Sequence, residues 1–283
     1  MDAVVTAAGC PACGEPAAAD RYCEACGRPL AARGQWALAP DGVRVEADLG
    51  SAAAVTDRGR SHPENEDAAV IGAARGAAFA VVCDGVSATP RAGEAARAAV
   101  AAAAPALLEA LDAGGSAAAA IAAAVRAAQN ATARLGDPAD PGPDAPSCTF
   151  VCAVADGRQV SVGWLGDSRA YWVPARGRAV LLTADDAVPG SGALLRWLGA
   201  DATDTEPHLH GYVPDTAGAV VVCSDGLTRY PAVVAALAPA VAGGGPLLAA
   251  RHLVELALAA GGHDNVTVAV LAYPPAGQGG SAT

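Results

Sequence analysis

Apolar residues along the chain fall into short continuous runs separated by turn chemistry, the pattern of strands buried on both faces. Such runs occupy 68–71, 78–83, 149–155, 159–164, 169–173, 179–182, 219–223 and 265–271. Asp156-Gly157 sits between the third and fourth runs as a hairpin turn. Two alanine-rich stretches, 93–112 and 116–135, exceed strand length and read as helices. Gly114, Gly115 and Ser116 end the first of these and cap the second. Further helices are expected near 232–237 and 247–260, before a last strand. Strands, a helix pair, more strands and then helices, without regular alternation, indicate an α+β class. Two antiparallel sheets face to face, with helices outside, account for this much apolar sequence.

Composition narrows the picture. The 283 residues are 53% hydrophobic, and a mean hydropathy of +0.30 excludes a largely disordered chain. The length fits one catalytic-sized domain with a small appendage. The longest apolar stretches are alanine runs broken by Arg97, Pro105 and Arg126, so no membrane span is expected. Residues 1–9 carry Asp2 and no basic segment, so a cytoplasmic protein without a secretory leader is expected. The formal charge of −11 argues against nucleic-acid or anionic-membrane partners. All 18 basic residues are arginine, which reads as genomic bias.

The cysteines form two populations. Cys10 and Cys13, then Cys23 and Cys26, are CxxC pairs each followed by glycine. Two thiolates from one tight turn suit a tetrahedral zinc ion, so a zinc ribbon over residues 1–29 is expected. Two disulfides in an exported domain are the alternative, disfavoured by the missing leader. Cys83, Cys148, Cys152 and Cys223 lie in apolar runs and read as small buried hydrophobes. Residues 30–45, with Pro40 and Gly42, read as a linker with a short strand near 43–47 at its end, and 274–283 as a disordered tail.

The informative feature is where the acids fall. Asp84-Gly85 and Asp225-Gly226 each follow an apolar run, Asp167 lies in the turn after another, and Asp264 precedes the last. Asn65-Glu66-Asp67 leads into the run at Ala68. One Asp-Gly alone is an ordinary turn. Carboxylates delivered to one cleft from several strand ends repel one another and lose water, and they coexist only beside cations. Oxygen-only ligation with room for water suits Mg²⁺ or Mn²⁺.

Read in order, Thr56-Asp57-Arg58-Gly59, Asn65-Glu66-Asp67, Val82-Cys83-Asp84-Gly85, Gly166-Asp167-Ser168-Arg169, Leu182-Thr183-Ala184-Asp185-Asp186, Cys223-Ser224-Asp225-Gly226 and Gly262-His263-Asp264-Asn265 resemble the successive motifs of the metal-dependent protein phosphatases of type 2C. The resemblance spans residues 46–273 and implies an αββα sandwich with a metal cleft at one edge. It implies that Asp84 bridges two ions, that Asp225 and Asp264 complete the first site, and that the Gly85 carbonyl serves the second with Glu66 and Asp67. Asp167 with Asp225 resembles a third, weaker site. The implied reaction is hydrolysis of phosphoserine and phosphothreonine in proteins by a hydroxide held between two ions. Implied partners are phosphoproteins and the opposing kinases, and a monomer is expected.

Three positions depart from the family pattern. His62 stands where the family has a phosphate-gripping arginine, with Arg58 and Arg60 close enough in sequence to reach in instead. A histidine there binds phosphate when protonated, or donates a proton to the leaving alkoxide. The turn after Gly85 is Val86-Ser87-Ala88-Thr89-Pro90, and a strand start reads Ser147-Cys148-Thr149-Phe150. No expected metal ligand is lost. A catalytically silent phosphatase-like scaffold, binding partners through the ribbon, is the alternative. His208, His210 and His263 lack zinc spacing and are expected to be peripheral.

Overall fold

Both faces of the strand Ala77–Cys83 are apolar, and the molecule is layered around that fact. Phe79, Val81 and Cys83 enter one hydrophobic cluster, while Ala78, Ala80 and Val82 enter another. A strand with alternate side chains in two cores must lie in an inner layer. The computed structural model describes residues 35–39, 42–136 and 145–273. The expected zinc ribbon (1–29, with Cys10, Cys13, Cys23 and Cys26) and the tail (274–283) lie outside these residues.

In chain order the elements are β1 (Gln35–Ala39), β2 (Arg44–Asp48), β3 (Ala52–Asp57), β4 (Ala68–Ala74), β5 (Ala77–Cys83), α1 (Ala92–Asp112) and α2 (Ala117–Ala133). There follow β6 (Ser147–Cys148), β7 (Phe150–Ala155), β8 (Val160–Leu165), β9 (Arg169–Pro174), β10 (Val180–Leu181), β11 (Leu198–Gly199) and β12 (His208–Tyr212). The last group is β13 (Gly218–Cys223), α3 (Asp225–Thr228), α4 (Pro231–Ala235), α5 (Leu237–Ala242), α6 (Gly245–Ala259) and β14 (Val266–Tyr273). One 6-stranded sheet runs β1-β4-β5-β7-β8-β12 and the other β10-β9-β13-β14-β3-β2. Their strand pairings are antiparallel.

Three apolar interfaces separate four layers. α1 and α2 lay Ala95, Ala99, Leu107 and Ile121 on the outer face of the first sheet. Between the sheets, alanines such as Ala54, Ala80, Ala153 and Ala269 leave space that Trp164 and Trp172 fill. Beyond the second sheet, Leu227, Val233, Leu237 and Leu253 bring α3–α6 onto Tyr171, Val221 and Val268. The alanine runs are therefore close-packed helix faces. The Ser116 hydroxyl caps α2 by accepting from the Ala119 N–H at 3.2 Å.

The stretch 30–45 is not wholly a linker. Gln35–Ala39 pairs with Ala69–Ala73 of β4 and extends the first sheet at its edge. Ala37 is buried between the sheets, which gives the segment its reason to order. Among the described residues no helix is long and apolar enough to cross a membrane.

Candidate metal centre

Sheet register places the acids. Ala68 of β4 pairs with Cys83 of β5, so Asp67 and Asp84 leave neighbouring strands at the same end. In the other sheet Cys223 pairs with both Arg169 and Val268, which sends Asp225, Asp167 and Asp264 to one end. Asp167 lies on the passage from β8 in the first sheet to β9 in the second, so the acids of both sheets meet. Glycine is required beside two of them. A Cβ on Gly85 would stand 2.7 Å from the Ala92 backbone, and one on Gly226 would stand 1.9 Å from the Asn265 carbonyl oxygen.

Polar contacts hold the constellation. Thr149 Oγ1 accepts from the Asp84 N–H at 3.0 Å, and the Thr149 N–H donates to the Asp84 carbonyl at 2.8 Å. Ser224 Oγ donates to Asp67 Oδ2 at 2.8 Å. Asn265 ties three segments together: its Oδ1 accepts from the Glu66 N–H at 2.7 Å, and its Nδ2 donates to the carbonyls of Arg58 and Glu64 at 2.7 and 3.0 Å. The loop carrying His62 and Glu66 is thereby fastened to the start of β14.

The electrostatics are those of a crowd. Burial, then the charges of Asp67, Asp225, Asp167 and Asp264, raise Asp84 well above the usual carboxylate range. Burial pushes Asp67 up to about 7, with Asp225 and Asp264 adding to it against hydroxyl donors on Thr267 and Ser224. Asp167 is pushed up to about 6 by burial and then by Asp225. Asp225 is raised by burial and by Asp264, while a hydrogen bond with Asp84 and the charges of Arg229 and Arg169 oppose the shift. Asp67 Oδ1 is buried without a hydrogen-bond partner. A buried, unpaired carboxylate oxygen among like-charged neighbours is costly unless a proton or a cation neutralises it. An all-oxygen donor set of this kind fits a hard divalent cation. Among the described residues, no three His, Cys, Asp or Glu side chains are arranged so as to hold a metal ion together as they stand. The acids stand close enough to perturb one another.

Other expected residues stand around this crowd. Glu66 turns its carboxylate to the Ser87 hydroxyl at 2.5 Å. Gly85 donates its N–H to the Glu66 carbonyl at 3.2 Å. His62 Nε2 lies 3.1 Å from Asp264 Oδ1. Arg60 is exposed, its N–H bonded to the Gly262 carbonyl at 2.7 Å. Sequence reasoning passed over Arg229, whose Nη1 lies 3.9 Å from Asp264 Oδ2; its signal was its place one helical turn beyond Asp225. It also undervalued two histidines. His208 stacks on Trp164 at 5.0 Å and holds Asp186 at 2.8 Å, and His263 accepts or donates at Nδ1 to the Tyr230 hydroxyl at 2.8 Å. His210 is exposed, as expected.

The family model described as protein phosphatase 2C matches residues 58–249. None of the curated proteins compared matches the chain. Among solved structures, the Mycobacterium tuberculosis serine/threonine phosphatase PstP/Ppp is 27% identical over 78% of this chain and 97% of its own, with a TM-score of 0.61. The catalytic domain of PstP in complex with 2 manganese ions is 27% identical over 79% of this chain and 98% of its own, with a TM-score of 0.61. The serine/threonine phosphatase Stp1 of Staphylococcus aureus is 21% identical over 80% of this chain and 96% of its own, with a TM-score of 0.65.

Proposed function

The chain belongs to the protein phosphatase 2C family and is a phosphatase by that membership, and from that premise we propose that it hydrolyses phosphoserine and phosphothreonine in proteins with Mg²⁺ or Mn²⁺. The 27% identical PstP domain, which binds 2 manganese ions, supports the metal and the substrate class. The observation that carries the reading is the gathering of Asp67, Asp167, Asp225 and Asp264 around Asp84 at the strand ends, with Asp67 Oδ1 unpaired.

Asp84, Asp225 and Asp264 would hold one ion. Asp84, the Gly85 carbonyl and Asp67 would hold a second, with Glu66 acting through water. Asp167 with Asp225 would hold a third. When bound, such ions supply Lewis acidity toward the phosphoryl oxygens and make a water nucleophilic near neutral pH. The protein supplies the rest. Thr149 fixes the backbone of Asp84, Ser224 turns Asp67 inward, and Asn265 keeps the Glu66 loop against the pocket. His62, standing on Asp264, is placed to bind the substrate phosphate or protonate the leaving oxygen, and Arg60 to attract the substrate at the rim.

Phosphate release from a phosphothreonine peptide in Mn²⁺ tests this. Loss of even an outer partner of a metal ligand costs ~10–100-fold, so Asp84→Asn is expected to lower turnover by more than about 100-fold. Equal rates for wild type and variant would sink the reading. Absence of turnover in the wild type would favour a silent scaffold.

A further inference from the structure

We propose that Arg229 grips the substrate phosphate in this site, standing opposite His62 across Asp264; the proposal rests on the phosphatase reading above. Arg229 follows α3 directly, and its N–H donates to the Asp225 carbonyl at 2.9 Å, so the backbone of one acid fixes where the guanidinium starts. Its side chain is 54% exposed and reaches toward Asp264 Oδ2 at 3.9 Å. The other oxygen of the same carboxylate has His62 Nε2 at 3.1 Å. Two basic side chains thus flank one acid at the mouth of the pocket.

Several other guanidiniums near the site already have partners, whereas Arg60 is bonded through its backbone N–H alone. Arg169 grips Asp185 through Nε at 2.8 Å and Nη2 at 2.6 Å. Arg91 makes a two-pronged pair with Glu94, at 2.7 Å for each contact. Arg58 donates to the Pro63 carbonyl at 3.1 Å. At 3.9 Å, by contrast, Arg229 is beyond hydrogen-bond range of its partner, and the planar fork of donors that suits a phosphate remains open. A phosphate dianion approaching a pocket lined with carboxylates is repelled unless positive charge stands at its mouth. Arg229 and Arg169 both stand close enough to Asp225 to offset its charge, and Arg169 is the one already paired with another carboxylate, Asp185.

The experiment compares wild type, Arg229→Ala, Arg229→Lys and Arg178→Ala. Arg178 is an exposed arginine in the turn at the far end of β9, so its removal controls for overall charge. The readouts are kcat and KM on a phosphothreonine peptide in Mn²⁺, calorimetric binding of inorganic phosphate to the Mn²⁺-loaded protein, and Mn²⁺ affinity itself. A charge-assisted hydrogen bond is worth ~1.5–3 kcal/mol, so Arg229→Ala is expected to raise both KM and the phosphate Kd by about tenfold or more. Arg229→Lys recovers part of this, Arg178→Ala matches wild type, and Mn²⁺ binds the alanine variant no more weakly. A phosphate Kd for Arg229→Ala within about twofold of wild type overturns the assignment. So does a parallel loss of Mn²⁺ affinity, which would make Arg229 a support for Asp264. A wild type that binds no phosphate overturns it as well. If wild type fails to hydrolyse the peptide yet binds phosphate in an Arg229-dependent way, the phosphatase reading falls and the phosphate grip stands.

Discussion

Between the sheets, Trp172 packs edge-on against Tyr273 at 5.4 Å and tilted against Tyr212 at 5.8 Å, among alanines that leave it room. Further along the same layers, at the strand ends, Asp67 and Asp84 are withdrawn from water and crowded by three more acids. Both regions lose solvent, with opposite results. In the first, apolar surface leaves water and stability rises. In the second, acidic groups leave water, which raises Asp67 and Asp84 above the usual carboxylate range, and Asp67 Oδ1 is left without a hydrogen-bond partner. The fold draws its stability from its interior and its function from a place that the interior must support.

The largest way to break that comparison is in the interior. A buried Trp→Ala change costs ~3–5 kcal/mol, so Trp172→Ala is expected to lower the unfolding free energy read from denaturant titration by that amount while Mn²⁺ affinity of the folded protein stays near wild type. Selective loss of metal binding would mean the two regions are not separable. The next effect is one of pH on the metal-free protein. Asp67 is raised from the ordinary 3.8 to about 7, and Asp167 from 3.8 to about 6. A raised carboxylate binds its proton more tightly in the folded state. Its stabilising contribution is full below about pH 4 and is lost as the pH climbs through 6 and 7. Metal-free protein should therefore lose on the order of a few kcal/mol between pH 4 and pH 7.5, and Mn²⁺ should flatten that slope; thermal melts across the range with and without Mn²⁺ check both. The smallest effect sharpens the boundary between the regions. Leaving buried partners unsatisfied costs ~1–3 kcal/mol, so Asn265→Ala is expected to destabilise modestly and weaken Mn²⁺ binding, as read by calorimetry and melting.

Much of the interior was legible in the sequence, because β5, β7, β8 and β13 are unbroken apolar runs between turn residues. β3 was not. Ala52-Ala53-Ala54-Val55 carries the residue with the strongest helix preference, and only its place between β14 and β2, with both faces covered, makes it a strand. β1 was missed because pairing with β4, not composition, orders it. β12 was not among the expected strands and owes its extension to register with β8. In the pocket, motif spacing identified the acids that converge. It did not find the side chains that hold them, since Asn265 acts across the sheets and Thr149 across neighbouring strands, through contacts between residues far apart in sequence. Arg229 was overlooked for a related reason: a lone arginine after a short helix has no signature until its carboxylate neighbours are in place.

Two of the crowded acids ride on links between the layers. Asp67 closes the stretch from β3 to β4, and Asp167 sits between β8 and β9. The thickness of the alanine-lined interior therefore sets the bore of the pocket: side chains such as Ala80 and Ala153, remote from any reacting atom, act as shims whose size decides how far apart the opposing oxygens are held.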